Sequence, residues 1–190
     1  MKNARTPPGV HGGGNGPSDV ELMLLVAGGD REAFGTLVRR HQQQLMNLFR
    51  RLGADAHGAE DCAQETFLRL FRSRLNYRPS APFPAFLYTL ARHSWVDWSR
   101  RRQRRMSVTL DEAPMESDEG SVSIDDRLDL EAAVQGLPDH LRWVVLLSVD
   151  RGLSYPEVGD VLEIPVGTVK SRMFHAIRRL REALHARTPG

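Results

Sequence analysis

Apolar side chains recur along this chain at intervals of three and four, the period of an amphipathic helix, and that recurrence predicts an all-α protein. Ser18-Asp19 is a capping pair in front of ELMLLVAGG, so order is expected to begin there. Asp30 opens a second helix whose apolar side runs Phe34, Leu37, Val38, His41, Leu45, Leu48, Phe49 and Leu52, and Gly53 stops it. His41 on that side reads as a packed histidine, not a ligand. A third helix, about 59–75, takes Phe67, Leu68, Phe71 and Leu75 as its buried face. Asn76 to Pro84 holds three prolines and reads as a loop.

The stretch Pro82–Arg105 that follows carries five aromatic residues and ends in a dense arginine run. On a helical wheel Leu87, Leu90, Ala91, Ser94 and Trp98 form one stripe suited to a core. Tyr88, Arg92, Trp95, Ser99 and Gln103 form a second, rotated well away. Arginine attracts phosphate, and exposed aromatic rings stack on unpaired bases at roughly 1–3 kcal/mol per base. The second stripe therefore suits an opened nucleic-acid strand; packing of Tyr88 and Trp95 on a neighbouring helix is the competing reading. Asp97, at the border of the core stripe, is expected to pair with an arginine or cap a neighbouring helix.

Beyond residue 126 the helical period resumes through Leu128, Leu130, Ala133, Val134 and Leu137. Pro138 introduces another helix, with Leu141, Val144, Val145, Leu146 and Val149 behind it, Trp143 in or beside the core, and Gly152 at its end. Ser154-Tyr155-Pro156-Glu157 is an S-x-x-E capping box. The short helix after it carries Val158, Val161 and Leu162, with Gly159 turned inward so that a neighbouring helix can approach. Ile164-Pro165 interrupts, and VGTVKSRMFHAIRRLREAL resumes, held down by Val169, Met173, Ile177 and Leu180. Two helices, a tight turn, and a second helix opening with small and basic side chains make a helix-turn-helix. Thr168, Lys170, Ser171 and Arg172 lie at the end that would enter a major groove.

Composition refines this picture. A chain of 190 residues with 41% hydrophobic and 26% charged content is ordinary for a globular protein of one domain or two small ones. Its net charge is only +2, but arginines gather at 100–105 and 178–181 while acids gather between Asp111 and Asp126. That segregation predicts a polyanion-binding surface on each of two units, 18–105 and 127–187, joined by a flexible acidic linker over 106–126. Residues 1–17, rich in Gly and Pro, read as a disordered tail, and their glycines lack the GK[ST] of a phosphate loop. Cys62 is the one cysteine, so neither a disulfide nor a thiolate metal cluster is expected. Long apolar runs and a signal-like N-terminus are lacking, which predicts a cytoplasmic protein.

Asp61, Gln64 and Glu65 stand at i, i+3 and i+4 and project together from the third helix. They complement the helix dipole, and they equally suit a basic partner. Catalysis is not expected: the seven histidines are scattered, no HExxH is present, and no nucleophile accompanies the carboxylates, so no catalytic, metal or cofactor site is assigned.

Taken together, AEDCAQETFLRLF, FLYTLARHSWVDWSRRR and GLSYPEVGDVLEIPVGTVKSRMFHAIRRLR resemble three stretches of the bacterial extracytoplasmic-function sigma factors. The resemblance covers nearly all of the chain after the tail, and is most specific in SYPEV, IPVGTVKSR and their spacing. It implies a transcription initiation factor that binds core RNA polymerase, directs it to promoters and helps to open the −10 region. By the same resemblance, Asp61, Gln64 and Glu65 dock on the coiled-coil clamp of the polymerase's largest subunit. The loop with Asn76, Tyr77 and Arg78 captures a base flipped from the non-template strand, and Tyr88, Arg92, Trp95, Ser99 and Arg100 line that path. Thr168, Lys170, Ser171 and Arg172 read the −35 element, with Arg178 and Arg179 near phosphates. An anti-sigma factor is an implied partner. Phe86, His93 and His175 depart from the family's common tryptophan, asparagine and arginine. A helix-turn-helix regulator that never engages polymerase would explain 127–187, but not the Asp61–Glu65 cluster or the aromatic–arginine helix.

Overall fold

The computed structural model describes residues 16–79, 82–108 and 126–185. These form helices α1 (Asp19–Ala27), α2 (Arg31–Arg51), α3 (Ala56–Arg72), α4 (Phe83–Val108), α5 (Asp126–Gln135), α6 (Asp139–Val145), α7 (Tyr155–Leu162) and α8 (Val166–His185). A 3-10 turn at Arg74–Asn76 follows α3, and α6 runs on as a π-helical turn over Leu146–Asp150. The expected tail, up to residue 15, and positions 109–125 of the expected linker lie outside the described residues.

Helix starts follow their caps. The Ser18 hydroxyl accepts from the Glu21 amide at 3.3 Å while the Glu21 carboxylate accepts from the Ser18 amide at 2.7 Å, satisfying two N-terminal donors reciprocally. Asp30 caps α2 by accepting from the Glu32 and Ala33 amides at 2.8 and 3.0 Å. Asp55 accepts from the Gly58 amide at 2.7 Å, so α3 begins at Ala56, ahead of the start expected near Ala59. Its first turn, Ala56-His57-Gly58, carries no large apolar residue by which periodicity could announce it. At the other end α2 closes on Gly53, whose φ of +102° is one that a glycine adopts without strain. The loop expected through Pro84 is shorter, because α4 starts at Phe83 and accommodates Pro84 in its first turn, where a missing amide costs nothing. The same helix continues to Val108, past the boundary expected at Arg105.

In the N-terminal unit α2, α3 and α4 pack around Leu37, Leu45, Leu48 and Phe49 of α2, Ala59, Ala63, Phe67 and Leu70 of α3, and Leu87 and Ala91 of α4. Fully burying a Leu or Phe stabilises by roughly 1.5–3 kcal/mol, so this trio dominates the unit. Gly58 lets α3 and α4 close: a Cβ there would sit 2.4 Å from Cζ2 of Trp98. The expected face of α3 is corrected at two positions, since Leu68 (49% exposed) and Leu75 point outward while Leu70 is buried. The inward positions run 59, 62/63, 66/67 and 70, one step off the pattern that the large apolar residues suggest. α1 is moored by Asp19, which binds Arg40 and His41 at 2.8 Å each. Burial raises the Asp19 pKa, but the hydrogen bonds from His41 and Arg40 outweigh it and hold the carboxyl below its ordinary value.

The C-terminal unit packs α5 to α8 around Trp143, Val144, Leu146, Leu147, Val158, Val161, Val169, Met173 and Ala176. Three expected core positions are exposed instead: Leu130, Val149 and Ile177. The π-helical turn adds a residue per turn, which carries Val149 off the inner face. On α8, Ala176 takes the buried place that the larger Ile177 suggested. Buried apolar residues of both units join in one continuous cluster.

Candidate nucleic-acid interface

On α3 the acidic cluster separates into free and engaged members. Asp61 and Gln64 are exposed, Asp61 with the His57 ring 3.7 Å away. Glu65 is half-buried and accepts from Arg69 at 2.9 Å, with Arg72 at 3.8 Å. Arg69 also reaches Asp97 of α4 at 2.6 Å, the arginine pairing expected for that residue. The hydrogen bond from Arg69 lowers the Asp97 pKa, with the charges of Arg69, Arg101 and Arg100 adding to it. Leu68, one turn beyond Gln64 and two beyond Asp61, is an exposed apolar residue on this side, although the sequence reading placed it in the core. Cys62 lies beneath it, buried, with its thiol pushed up to about 12 by desolvation, so thiolate chemistry is closed to it at neutral pH.

Both stripes of α4 are buried along its first half. Leu87, Ala91 and Ser94 face the α2–α3 core, while on the second stripe Tyr88 is 3% and Trp95 7% exposed. Trp95 stacks between Phe49 of α2 (centroids 6.1 Å apart) and Trp98 (5.1 Å). Tyr88 lies within electrostatic reach of Arg151 and Asp150 of the other unit, and burial raises its hydroxyl pKa. Arg92, half-buried, binds Glu163 at 2.9 Å. Ser99 is half-buried, and residues 100–105 of the arginine run are exposed. In the preceding loop Asn76 and Arg78 are exposed, but Tyr77 is buried against Phe83 and Phe86.

The helix-turn-helix is built as its sequence suggests. Ser154 and Glu157 complete the capping box, with the Glu157 carboxylate accepting from the Ser154 amide at 2.7 Å. Glu163 ends α7 in the left-handed region, at φ 55° and ψ 45°. Gly159 is needed where the turn folds back, because a Cβ there would meet the Ile164 carbonyl oxygen at 2.9 Å. Lys170, Ser171, Arg178 and Arg179 of α8 are exposed, and Thr168 and Arg172 half-buried. Phe174, 66% exposed, shares this face and was missed in the sequence reading. Its position one turn after Lys170 was the available signal, since a phenyl ring beside base edges can touch a thymine methyl.

Among the described residues no three His, Cys, Asp or Glu side chains are grouped to hold a metal ion, and no helix is long and apolar enough to cross a membrane. One helical unit thus exposes the acidic side of α3, and the other carries a helix-turn-helix whose second helix exposes basic side chains.

The family models for Sigma-70 region 2 and Sigma-70, region 4 match residues 37–105 and 127–180. The chain is 38% identical over 180 residues to the ECF RNA polymerase sigma factor SigE of Mycolicibacterium smegmatis, covering 88% of this chain and 70% of that one. It is 34% identical over 180 residues to the RNA polymerase sigma-H factor of Pseudomonas aeruginosa, covering 87% and 93%. The structure of CnrH in complex with the cytosolic domain of CnrY superposes with a TM-score of 0.68 at 26% identity, over 90% of this chain and 99% of that one. The sigma factor RpoE of Bartonella quintana, solved with the anti-sigma factor NepR, shares the fold at a TM-score of 0.66 and 22% identity, over 82% and 98%. The chain belongs to the extracytoplasmic-function family of RNA polymerase sigma factors: it is a polymerase-binding transcription initiation factor.

Proposed function

We propose that residues 18–105 and 127–187 act as separate domains that divide the work of initiation. Asp61, Gln64 and Glu65 dock on the clamp of the polymerase's largest subunit. Asn76, Tyr77, Arg78, Tyr88, Arg92, Trp95, Ser99 and Arg100 take the opened non-template strand near −10. Thr168, Lys170, Ser171 and Arg172 read the −35 element in the major groove, with Arg178 and Arg179 on phosphates. The protein works in the cytoplasm as a regulator without an enzymatic activity of its own, and an anti-sigma factor is a further partner. The observation that carries this reading is the pairing of an exposed acidic face on α3 with an exposed basic face on α8. Two modest contacts gain strength when a third body holds both at fixed spacing, and polymerase supplies that frame. Binding to free promoter duplex is then weak and falls steeply with salt.

Fluorescence titration of the full chain with core RNA polymerase tests the docking face. Because Glu65 is tied to Arg69, two lysine-substituted variants are compared, Asp61→Lys with Glu65→Lys and Asp61→Lys with Gln64→Lys. Tight binding by the native chain, weakened about tenfold or more in both variants, is the expected result. A folded native chain that fails to bind leaves the helix-turn-helix regulator as the better account.

A further inference from the structure

Three features lie outside the initiation contacts: a groove between α5 and α8, exposed apolar residues on α1 and α3, and a stack of side chains beneath the loop that follows α3. Only the stack reaches a residue with an assigned role. The loop exposes Asn76 and Arg78 on either side of Tyr77, which is buried. Arg78 donates to the Tyr77 carbonyl at 3.1 Å, so the anchoring of Tyr77 decides where its exposed neighbours stand. The Tyr77 ring lies 5.1 Å from Phe86 and meets Phe83 edge-on at 6.5 Å. Its hydroxyl has no hydrogen-bond partner among the described residues, so ring contacts rather than a polar tether hold it. Phe83, fully buried, lies 5.4 Å from the His41 ring of α2. His41 Nε2 is in turn 2.8 Å from Asp19 Oδ2, at the start of α1. α1 itself packs on the 3-10 turn Arg74–Asn76 that leads into the loop.

We propose that Asp19 and His41 are positioning residues for strand capture: their hydrogen bond fixes the ring stack that holds Tyr77, and through it the loop that takes the flipped base. The role of the loop itself rests on its assignment under Proposed function. A pocket for a single base tolerates little error. Its side chains keep their place only if the residues behind them are locked by packing and hydrogen bonds. Water competes little for this bond, because the His41 ring is nearly enclosed and Asp19 is half-buried. Asp19 lies close enough to Tyr77 that its charge, after burial, helps to raise the hydroxyl pKa. Arg40 holds the other carboxylate oxygen of Asp19 at 2.8 Å and the Pro17 carbonyl at 2.9 Å, on the exposed side of the pair. Arg40 thus helps to moor α1 without belonging to the stack, and Asp61 and Gln64 stand on a different helix, α3.

The test uses the full chain bound to core RNA polymerase and a −10 non-template oligonucleotide carrying 2-aminopurine, whose emission changes when the base leaves its neighbours. Asp19→Ala and His41→Phe remove the bond from either side, the second while keeping a ring against Phe83. Both are expected to weaken oligonucleotide binding about threefold to tenfold, with affinity for core polymerase unchanged. Asp19→Asn, which can keep both hydrogen bonds, is expected to bind as the native chain does, and so is Arg40→Ala. Native capture by either bond-deleting variant overturns the proposal. A parallel loss of polymerase affinity, or an equal loss of capture in Arg40→Ala, assigns the bond to mooring the fold and overturns it too. Tyr77→Ala separates the two levels: native capture by that variant overturns instead the assignment of the loop to base capture.

Discussion

α4 and α8 are both long, arginine-bearing helices, and the structure treats them in opposite ways. α8 buries one narrow side, Val169, Met173 and Ala176, and presents Lys170, Ser171 and Phe174 to solvent. α4 is buried on two sides along its first half and turns exposed over residues 100–105. A helix that reads intact duplex can stand ready at all times, because its target is always present and non-specific contact is weak and reversible. On the proposed assignment α4 takes unpaired bases, and two of its rings, Tyr88 and Trp95, are covered in the free chain. The same residue types thus serve two regimes, set by what packs on them.

The contrast can be broken most forcefully at the aromatic stack. Trp95→Ala is expected to cost about 3–5 kcal/mol of stability in denaturant unfolding, because the ring is enclosed by Phe49 and Trp98. Phe174→Ala, on the open face of α8, is expected to stay within about 0.5 kcal/mol while weakening promoter recognition. Equal stability losses would show that the two helices are not differently embedded. A smaller effect separates two glycines of the helix-turn-helix. Gly159→Ala pushes a Cβ onto the Ile164 carbonyl and should cost about 1–3 kcal/mol, whereas Gly167→Ala meets nothing and should be neutral or stabilising by up to about 1 kcal/mol. Thermal melting of the two variants checks the sign of each.

The smallest effect is acidic. The folded-state pKa of Asp97 is depressed by Arg69, so its contribution is present above the unfolded carboxylate value of about 3.9 and is lost as pH falls through the lower folded value. Because Asp97 is substantially exposed, the contribution is at most about 1 kcal/mol. Asp97→Asn should therefore melt lower than the native chain at pH 6, with the gap closing below about pH 4. A gap that stays unchanged as the pH falls would assign the effect to packing rather than to charge.

Caps and periodicity made most helices readable from the sequence, because Ser18, Asp30 and Ser154 act on amides only two or three residues away. The start of α3 was hidden, since Asp55 caps a turn without apolar residues. The placement of Leu68, Leu75, Val149 and Ile177 was also hidden: hydrophobicity marks what could be buried, and packing decides which side turns inward. The acidic and basic faces were legible because local spacing puts them together. The cover over α4 was not, since Arg92 and Glu163 meet from 71 positions apart and no short pattern records such a contact.

The most direct test is side-chain footprinting with hydroxyl radicals, reading Tyr88 and Phe174 in the free chain and after core polymerase is added. The account predicts that Phe174 is reactive and Tyr88 protected in the free chain, and that Tyr88 becomes reactive once polymerase binds. A Tyr88 that is already as reactive as an unfolded tyrosine in the free chain would contradict it.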